Sequence, residues 1–304
     1  MEVADRITVL RDGRSVITYG KEHTSEQRII SDMVGRELKE LFPRVPRNAG
    51  KVVFEVKNLS VGDPLVPGRL RVKNFSFEVR ESEILGISGL MGAGRTELLM
   101  SLFGAFPGTR TGQILVEGRE LNIDTPRDAI SAGLALVTED RKEFGLLLEE
   151  SVLKNMTLSS LSKIASAGIV SRTREAALGI QYKKNLRVKT PSLETIVKNL
   201  SGGNQQKVVL AKCLMTQPKV LFLDEPTRGI DVGAKAEIYK LMNELASQGM
   251  AIVMVSSELP EILGMSDRVL VMSEGKLTAE LKAEEASQER IMAAATGARV
   301  AACV

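Results

Sequence analysis

One segment of the chain, residues 200–231, limits its possible folds more than any other. It opens with a helix signal, because Ser201 is a favoured N-cap residue and apolar residues then recur on one helix face. Lys219 to Leu223 follow as a short apolar run, the pattern of a strand that is covered on both faces. Asp224 and Glu225 come where this strand would emerge, and adjacent carboxylates are costly to bury without a cation. The segment therefore predicts an α/β fold with an acidic strand end.

A glycine-rich loop joins a second predicted strand, Glu83–Ser88, to a predicted helix. Glycines let backbone N–H groups wrap around a phosphate, and a helix N-terminus adds partial positive charge. Thr96 stands where a hydroxyl ligand to Mg²⁺ is expected. The order of strand, glycine loop and helix predicts a nucleotide-binding loop. Its candidate nucleotide-binding residues are Gly89, Leu90, Met91, Gly92, Ala93, Gly94, Arg95, Thr96 and Glu97.

This loop departs from the usual phosphate-loop pattern at two positions. Arg95 replaces the expected lysine, which keeps the positive charge but places it on a longer, planar and forked group. Glu97 would bring a negative charge close to the phosphates, although glutamate in the first turn of a helix is favourable when no phosphate is bound. We expect a loop of nucleotide-binding descent, and the sequence leaves open whether it binds ATP well on its own.

The remaining elements follow from the spacing of apolar residues. Segments 51–60 and 70–79 alternate apolar and polar residues, as half-exposed strands do. Segments 133–138 and 250–256 are apolar runs that predict further buried strands. Residues 145–199 are rich in Leu, Ser, Ala and Lys, with spacing that predicts two or three helices.

Composition excludes several classes of protein. With 304 residues, of which 43% are hydrophobic, the chain can form one or two domains with a sizeable core. Its net charge of +3 gives no reason to invoke nucleic acid. Cys213 and Cys303 lie far apart, which fits a reducing cytoplasm, and we expect Cys213 to be a buried small hydrophobe. No apolar run approaches the roughly 18 residues of a membrane helix, so we expect neither a membrane-spanning nor a secreted protein.

The two ends of the chain resemble each other. Ala4–Arg14 aligns with Ser266–Lys276, and Thr24–Arg36 aligns with Ala286–Ala298, at the same spacing along the chain. A repeat at one constant spacing over two separate blocks indicates duplication, whereas coincidence between two common strand–turn–helix units is the alternative. We therefore expect residues 1–47 to be the tail of a preceding copy plus a linker.

Several motifs together resemble those of the ABC-transporter ATPases. LSGGNQQK at 200–207 resembles their signature sequence, and VLFLDEPTRGID at 220–231 resembles their Walker B and D-loop segment. With GAGRTEL at 92–98, TEDRK at 138–142 and SSELPE at 256–261, the set is similar to the second nucleotide-binding domain of tandem ATPases serving bacterial monosaccharide importers. An ordinary α/β core strand after a capped helix is the alternative.

The resemblance covers residues 48–304 and implies a P-loop NTPase (RecA-like) core of the α/β class. It also implies an antiparallel β subdomain at about 50–120 and an α-helical subdomain at about 143–212 that contacts membrane subunits. Residues 1–47 match the tail of the family's first domain, whose remainder would be absent from this chain.

The family's motifs also assign roles to the predicted strand ends. By resemblance, Glu225 would be the catalytic residue that polarises the attacking water, while Thr96 and Asp224 would position Mg²⁺, the latter through water. Glu139 occupies the place of a metal-binding glutamine, and a solvated charge run is the alternative. Ser257 stands in for a nucleotide-contacting switch histidine; it can donate a hydrogen bond but cannot carry the charge.

The signature segment would serve a different site. Gly202 and Gly203 would leave the backbone exposed at the helix start, where with Ser201 they would bind an anion. Gln205 belongs to the same signature, and Asp231 belongs to the D-loop. In ABC-transporter ATPases this signature faces the phosphates held by the opposite domain. The resemblance therefore implies that it completes ATP bound by the missing first domain, while the chain's own loop forms a weaker composite site.

The leading hypothesis is an ATPase, with ATP and Mg²⁺ as cofactors, that powers monosaccharide import through an ABC transporter. Its expected partners are the missing first nucleotide-binding domain, transmembrane permease subunits and, indirectly, a periplasmic sugar-binding protein, at the cytoplasmic face of the bacterial inner membrane. The alternative is a catalytically weakened regulatory half, which Glu97 and Ser257 favour and the intact Asp224–Glu225 pair opposes. An ABC protein that works on DNA or ribosomes is disfavoured by the near-balanced charge, so we expect no nucleic-acid partner.

Overall fold

The computed structural model describes residues 4–11, 14–20, 23, 29, 42 and 45–297. Its strands are β1 (Arg6–Arg11), β2 (Arg14–Gly20), β3 (Val52–Gly62), β4 (Leu70–Arg80), β5 (Ile84–Gly89), β6 (Arg110–Val116), β7 (Arg119–Glu120), β8 (Leu134–Val137), β9 (Ala165–Ser166), β10 (Ile169–Val170), β11 (Val220–Asp224), β12 (Ala251–Val255), β13 (Arg268–Ser273) and β14 (Lys276–Lys282). Its α-helices are α1 (Arg95–Leu102), α2 (Pro126–Ser131), α3 (Val152–Thr157), α4 (Leu161–Ile164), α5 (Arg172–Asn185), α6 (Gly202–Leu214), α7 (Val232–Ser247), α8 (Leu259–Met265) and α9 (Gln288–Ala295). The helix predicted near 24–35 lies almost wholly outside the described residues.

Six strands form the central sheet, in the order β14–β13–β5–β12–β11–β8. The neighbours from β13 to β8 pair in parallel, and β14 joins antiparallel to β13. Every residue of β11 and β12 is buried, as expected for strands that are covered on both faces. The strands predicted at 83–88, 133–138, 219–223 and 250–256 are therefore confirmed. Because the carboxyl ends of parallel strands meet at one edge, the loops after β5, β8, β11 and β12 are gathered there.

A second sheet contains four antiparallel strands in the order β4–β3–β6–β7. It shares one hydrophobic core with α1 and with one face of the central sheet. Phe54 of β3 packs edge-to-face on Phe222 of β11, with 5.3 Å between the ring centroids. Such aromatic pairs add to the stabilisation from buried area, so this contact helps to fix one sheet on the other. The predicted antiparallel β subdomain is confirmed.

Helices dominate the segment between β8 and β11. The two or three helices predicted within 145–199 are present as α3, α4 and α5. The two-residue strands β9 and β10 form a small antiparallel hairpin that composition did not predict. Within the described part of the chain, no helix combines the length and apolar character needed to cross a membrane.

Helix α6 is buried far beyond the single apolar face predicted for it. Gln206 and Lys207 lie inside, at 3% and 4% exposure. The ammonium group of Lys207 forms an ion pair with Glu237 of α7 at 2.5 Å, which compensates the burial of its charge. Cys213 is buried, as predicted, and burial raises the pKa of its thiol to about 11. The helix is therefore a central packing element that joins the helical segment to α7.

The two predicted repeats form hairpins with the same pairing. In the first hairpin Val9 pairs with Ile17, and the register then shifts before Leu10. In the second hairpin Val271 pairs with Ala279, and the register shifts at the equivalent step. Every residue pair of β1–β2 has its counterpart at the same spacing in β13–β14. The resemblance between the chain ends therefore extends from sequence to a shared shift of register.

Among the described residues of the segment before β3, the side chains of Arg47 and Phe42 both contact α7. Arg47 is 4% exposed; it donates to Asn243 of α7 at 2.5 Å and forms an ion pair with Asp267 at 3.1 Å. The ring of Phe42 lies 5.2 Å from the ring of Tyr239. Residues 45–50 have no regular secondary structure, and among them Arg47 makes the contact with α7.

Candidate functional site

The loop between β5 and α1 has a backbone that requires glycine at its end. Gly94 precedes α1 with a φ of 101°, and a Cβ on it would lie 2.6 Å from the carbonyl oxygen of Arg71. Because Gly94 has no side chain with which to cap the helix, the first-turn N–H groups of α1 can bind an anion. Met91, in the middle of the loop, is 98% exposed. The loop therefore combines an open surface with an uncapped helix start, as a phosphate group requires.

Asp224 ends β11 with a carboxylate that is only 1% exposed. The Thr96 hydroxyl lies beside this carboxylate and favours its ionised form, whereas Asp224 Oδ1 has no partner among the described residues. Burial, together with the neighbouring Glu225, raises the pKa of Asp224 to about 6, although Thr96 and Arg95 act in the opposite direction. An unpartnered buried carboxylate oxygen beside a hydroxyl is an environment that a hard divalent cation satisfies. Thr96 and Asp224 therefore fit Mg²⁺.

Glu225 follows with a left-handed backbone, at a φ of 47°, and a side chain that is 10% exposed. Its N–H donates to the carbonyl oxygen of Val255 at 3.0 Å, which fixes it beside the end of β12. The Ser257 hydroxyl donates to Glu225 Oε2 at 3.0 Å, so two of the predicted site residues meet. A non-glycine residue at this φ is strained and must be held by its surroundings, a condition that clusters at functional sites.

Arg95 lies across the ends of two strands. Its Nη1 donates to the carbonyl oxygen of Ser256 at 2.8 Å, and its Nη2 lies 3.8 Å from Glu225 Oε1. The side chain is 11% exposed, so solvent screens this ion pair weakly. A lysine ammonium could not occupy both positions with the fixed geometry of a guanidinium fork. Arg95, which stands in place of the usual lysine, therefore joins the glycine loop to the predicted catalytic carboxylate of Glu225.

Glu97, the second departure, is paired with a cation from β4. Arg71 Nη1 lies 3.6 Å from Glu97 Oε1, and Arg71 Nε donates to the buried Asp63 at 2.7 Å. Nothing in the sequence singles out Arg71, because one basic residue in an alternating strand is ordinarily a solvated surface group. In the fold it offsets the negative charge that Glu97 would present to phosphates.

Glu139, after β8, forms an ion pair with Arg228, which follows the acidic end of β11. From the same turn, Arg141 donates through Nη1 to the carbonyl oxygen of Arg228 at 2.8 Å and through Nη2 to that of Gly229 at 3.2 Å. The predicted metal role of Glu139 would require its ion pair with Arg228 to open. These contacts instead attach the turn after β8 to the turn after β11.

The start of α6 differs from its prediction at two residues. Ser201 precedes the helix but makes no capping bond to its backbone, because its Oγ accepts from the side-chain amide of Asn204 at 2.9 Å. Gly203 is buried rather than exposed, and a Cβ on it would lie 2.5 Å from Cβ of Ala234 in α7. The second glycine therefore permits close packing of α6 on α7, and Ser201 remains at the surface.

Gln205 and Asp231 lie in the same neighbourhood as this helix start. Arg141 Nε donates to Gln205 Oε1 at 3.4 Å, and Gln205 is 5% exposed. A Cβ on Gly202 would lie 2.9 Å from Arg141 Nη2. Asp231 caps α7 by accepting from the Ala234 N–H at 2.9 Å. The predicted site residues thus form two clusters: one around Asp224 and Glu225, and a second around the start of α6 that Arg141 links together.

Curated relatives match nearly the whole chain. The xylose import ATP-binding protein XylG of Thermoanaerobacter pseudethanolicus is 54% identical, over 98% of this chain and 59% of that protein. The ribose import ATP-binding protein RbsA of Bacillus subtilis is 50% identical, over 98% of this chain and 59% of that protein. The chain therefore spans about three-fifths of the length of the curated relatives it matches.

Solved structures share the fold. An ATP-binding cassette of an ABC transporter has a TM-score of 0.68 and 20% identity, covering 80% of this chain and 98% of its own. A nucleotide-free ATP-binding cassette from an ABC transporter has a TM-score of 0.66 and 19% identity, covering 80% of this chain and 96% of its own. The α/β core, the antiparallel subdomain and the helical segment are thus arranged as in these cassettes.

The family model described as ABC transporter matches residues 72–228. The matched span is more than half of the chain, and it runs from β4 through the glycine loop and α6 to the acidic end of β11. The chain belongs to the ABC transporter family of ATP-binding domains.

Proposed function

We propose that this chain binds ATP with Mg²⁺ at the loop between β5 and α1 and hydrolyses it. The observation that carries the proposal is the unpartnered, buried Oδ1 of Asp224, whose carboxylate lies beside Thr96 and adjoins Glu225. The backbone of residues 89–94 would hold the phosphates, with positive charge from Arg95. Thr96 and Asp224 would hold Mg²⁺, which when bound neutralises phosphate charge.

Glu225 is the proposed catalytic residue. Its carboxylate would orient the attacking water and draw off its proton, and it is ready to do so because the Ser257 hydroxyl fixes Oε2. Ser257 takes the place of the family's switch histidine; to donate to the terminal phosphate it would have to release Glu225, and a serine brings no positive charge there. Glu97 forms an ion pair with Arg71, and Glu139 forms one with Arg228. Neither carboxylate would contact the nucleotide or Mg²⁺ unless its ion pair opened.

We further propose that the chain acts with a preceding nucleotide-binding domain. Two observations support this: the hairpins at the chain ends share one register, and the relatives extend well beyond the matched region. Residues 1–47 would then be the tail of that domain plus a linker, and 48–304 the domain described above. In this arrangement Ser201, Gly202, Gly203 and Gln205, together with Asp231 of the D-loop, complete ATP held by the partner domain.

The proposed cargo is a monosaccharide, since the relatives are named for xylose and ribose import. The domain would work with transmembrane permease subunits, and through them with a periplasmic sugar-binding protein, as a peripheral subunit at the cytoplasmic face of the inner membrane. The near-balanced charge gives no support for a nucleic-acid partner.

Single-turnover hydrolysis with ATP and Mg²⁺, alongside a titration of ATP binding, tests the proposal. Glu225→Gln should keep the dissociation constant for ATP within about threefold and lower the rate by roughly a hundredfold or more. The control is Glu120→Gln, which changes an exposed glutamate on β7. ATP binding with no turnover that depends on Glu225 would support the catalytically weakened, regulatory role instead. Failure to bind ATP would refute both.

A further inference from the structure

A buried carboxylate lies in α8, outside the predicted site. Glu261 is 1% exposed, and a carboxylate is tolerated there only when polar groups satisfy it. Tyr239 donates its phenolic hydrogen to Oε1 at 2.5 Å, and Ser256 donates its hydroxyl to Oε2 at 2.8 Å. Thr227 also donates to Oε1, and Lys235 Nζ lies 3.3 Å from the same oxygen. Three hydroxyls and one ammonium group thus converge on a single carboxylate.

Two of these donors adjoin the residues of the candidate site. Thr227 lies two residues after Glu225, past the end of β11, and Ser256 lies directly before Ser257, past the end of β12. Glu225 and Ser257 are themselves in contact at 3.0 Å. Glu261 therefore connects the two strand ends beside that contact, while it bonds to neither of the two residues.

We propose that Glu261 is a positioning residue for ATP hydrolysis, which keeps Glu225 and Ser257 in their relative placement. This inference rests on the proposed function, since it assigns Glu261 to the same site. A glutamine at 261 would have nearly the same shape, and its amide oxygen would still accept hydrogen bonds, but the NH2 group that replaces the other carboxylate oxygen cannot accept from a hydroxyl. Glu261→Gln therefore disturbs the link and leaves the packing volume almost unchanged.

Hydrogen exchange in the full chain tests the link without requiring turnover. Glu261→Gln should increase amide exchange in residues 225–228 and 255–258 together, while the interior of β11 and β12 keeps its protection. Glu258→Gln is the matched control, because Glu258 is 52% exposed and also contacts Lys235, at 2.5 Å. The proposal that Glu261 connects the two strand ends would be overturned if amide exchange stayed unchanged in either segment. It would also be overturned if amides throughout the central sheet lost their protection from exchange.

The positioning role itself is tested by single-turnover hydrolysis and ATP titration. Glu261→Gln should slow hydrolysis by roughly tenfold or more and change ATP affinity by less than about threefold. Thr227→Val should slow hydrolysis too, and it should add little in the Glu261→Gln background, because both changes break one link. A wild-type rate, or an equal loss of affinity, would show that Glu261 is only structural. A wild-type chain without turnover would refute the proposed ATPase activity and this role with it, and the exchange result would still decide the link.

Discussion

Asp224 should make the nucleotide-free protein less stable, so that its replacement by asparagine is stabilising. The pKa of Asp224 is raised from 3.8 to about 6, because the ionised carboxylate is buried with one oxygen unpartnered. Above pH 6 the group is ionised in both the folded and the unfolded chain, and this shift then lowers the free energy of unfolding by about 3 kcal/mol. Below pH 3.8 it is protonated in both states and the penalty vanishes. The destabilisation therefore grows as pH rises between these two values, and it amounts to roughly half of its full size at pH 5.

Chemical denaturation of Asp224→Asn and wild type, without nucleotide or Mg²⁺, measures this difference. At pH 7.5 the variant should be more stable by up to about 3 kcal/mol, and at pH 5 by roughly half of that. Asp231→Asn serves as control, because asparagine also caps helices and the expected change is small at both pH values. ATP with Mg²⁺ should raise the stability of wild type and not that of Asp224→Asn. A variant less stable than wild type at pH 7.5 would refute the reasoning, since Asp224 would then be well satisfied without a cation.

Two further substitutions examine packing and charge. Gly203→Ala should lower the free energy of unfolding by about 1–3 kcal/mol, because its Cβ would collide with Ala234; urea denaturation measures the change, and unaltered stability would mean that α6 and α7 separate freely. Arg71→Gln should weaken ATP binding by roughly three- to tenfold at low salt, since it leaves the charge of Glu97 facing the phosphates. Adding Glu97→Gln in the same chain should restore affinity in a calorimetric titration, and a lack of restoration would contradict the pairing.

The parts of the fold that could be predicted are those encoded in neighbouring residues. The apolar run of residues 219–223 with two acids after it fixes both a buried strand and the position of its polar end. The glycine loop could be predicted in the same way, because strand, loop and helix lie within about twenty consecutive residues. Parallel pairing then brings these ends to one edge without any long-range information.

The contacts of the site could not be predicted, because they join residues that are far apart in the sequence. Arg95 reaches the end of β12, and the sequence shows only that a lysine is missing. Arg71 lies on β4 and Glu97 lies on α1, so the local sequence around either residue does not predict their ion pair. The sequence predicts an exposed backbone at Gly203, and only the position of α7 shows that the glycine is needed for close packing.

Arg47 gives the junction ahead of β3 a mechanical property. A linker normally crosses to its domain with few contacts and lets the two sides turn independently. Here a buried guanidinium holds the chain to α7 and to Asp267 only a few residues before β3 begins. A force applied to the chain ahead of residue 47 would therefore load the contact between Arg47 and Asn243 of α7 before it reached β3. Helix α7 also carries Lys235 and Tyr239, which contact Glu261, and it begins at the Asp231 cap, so Arg47 is attached to a helix that borders both clusters.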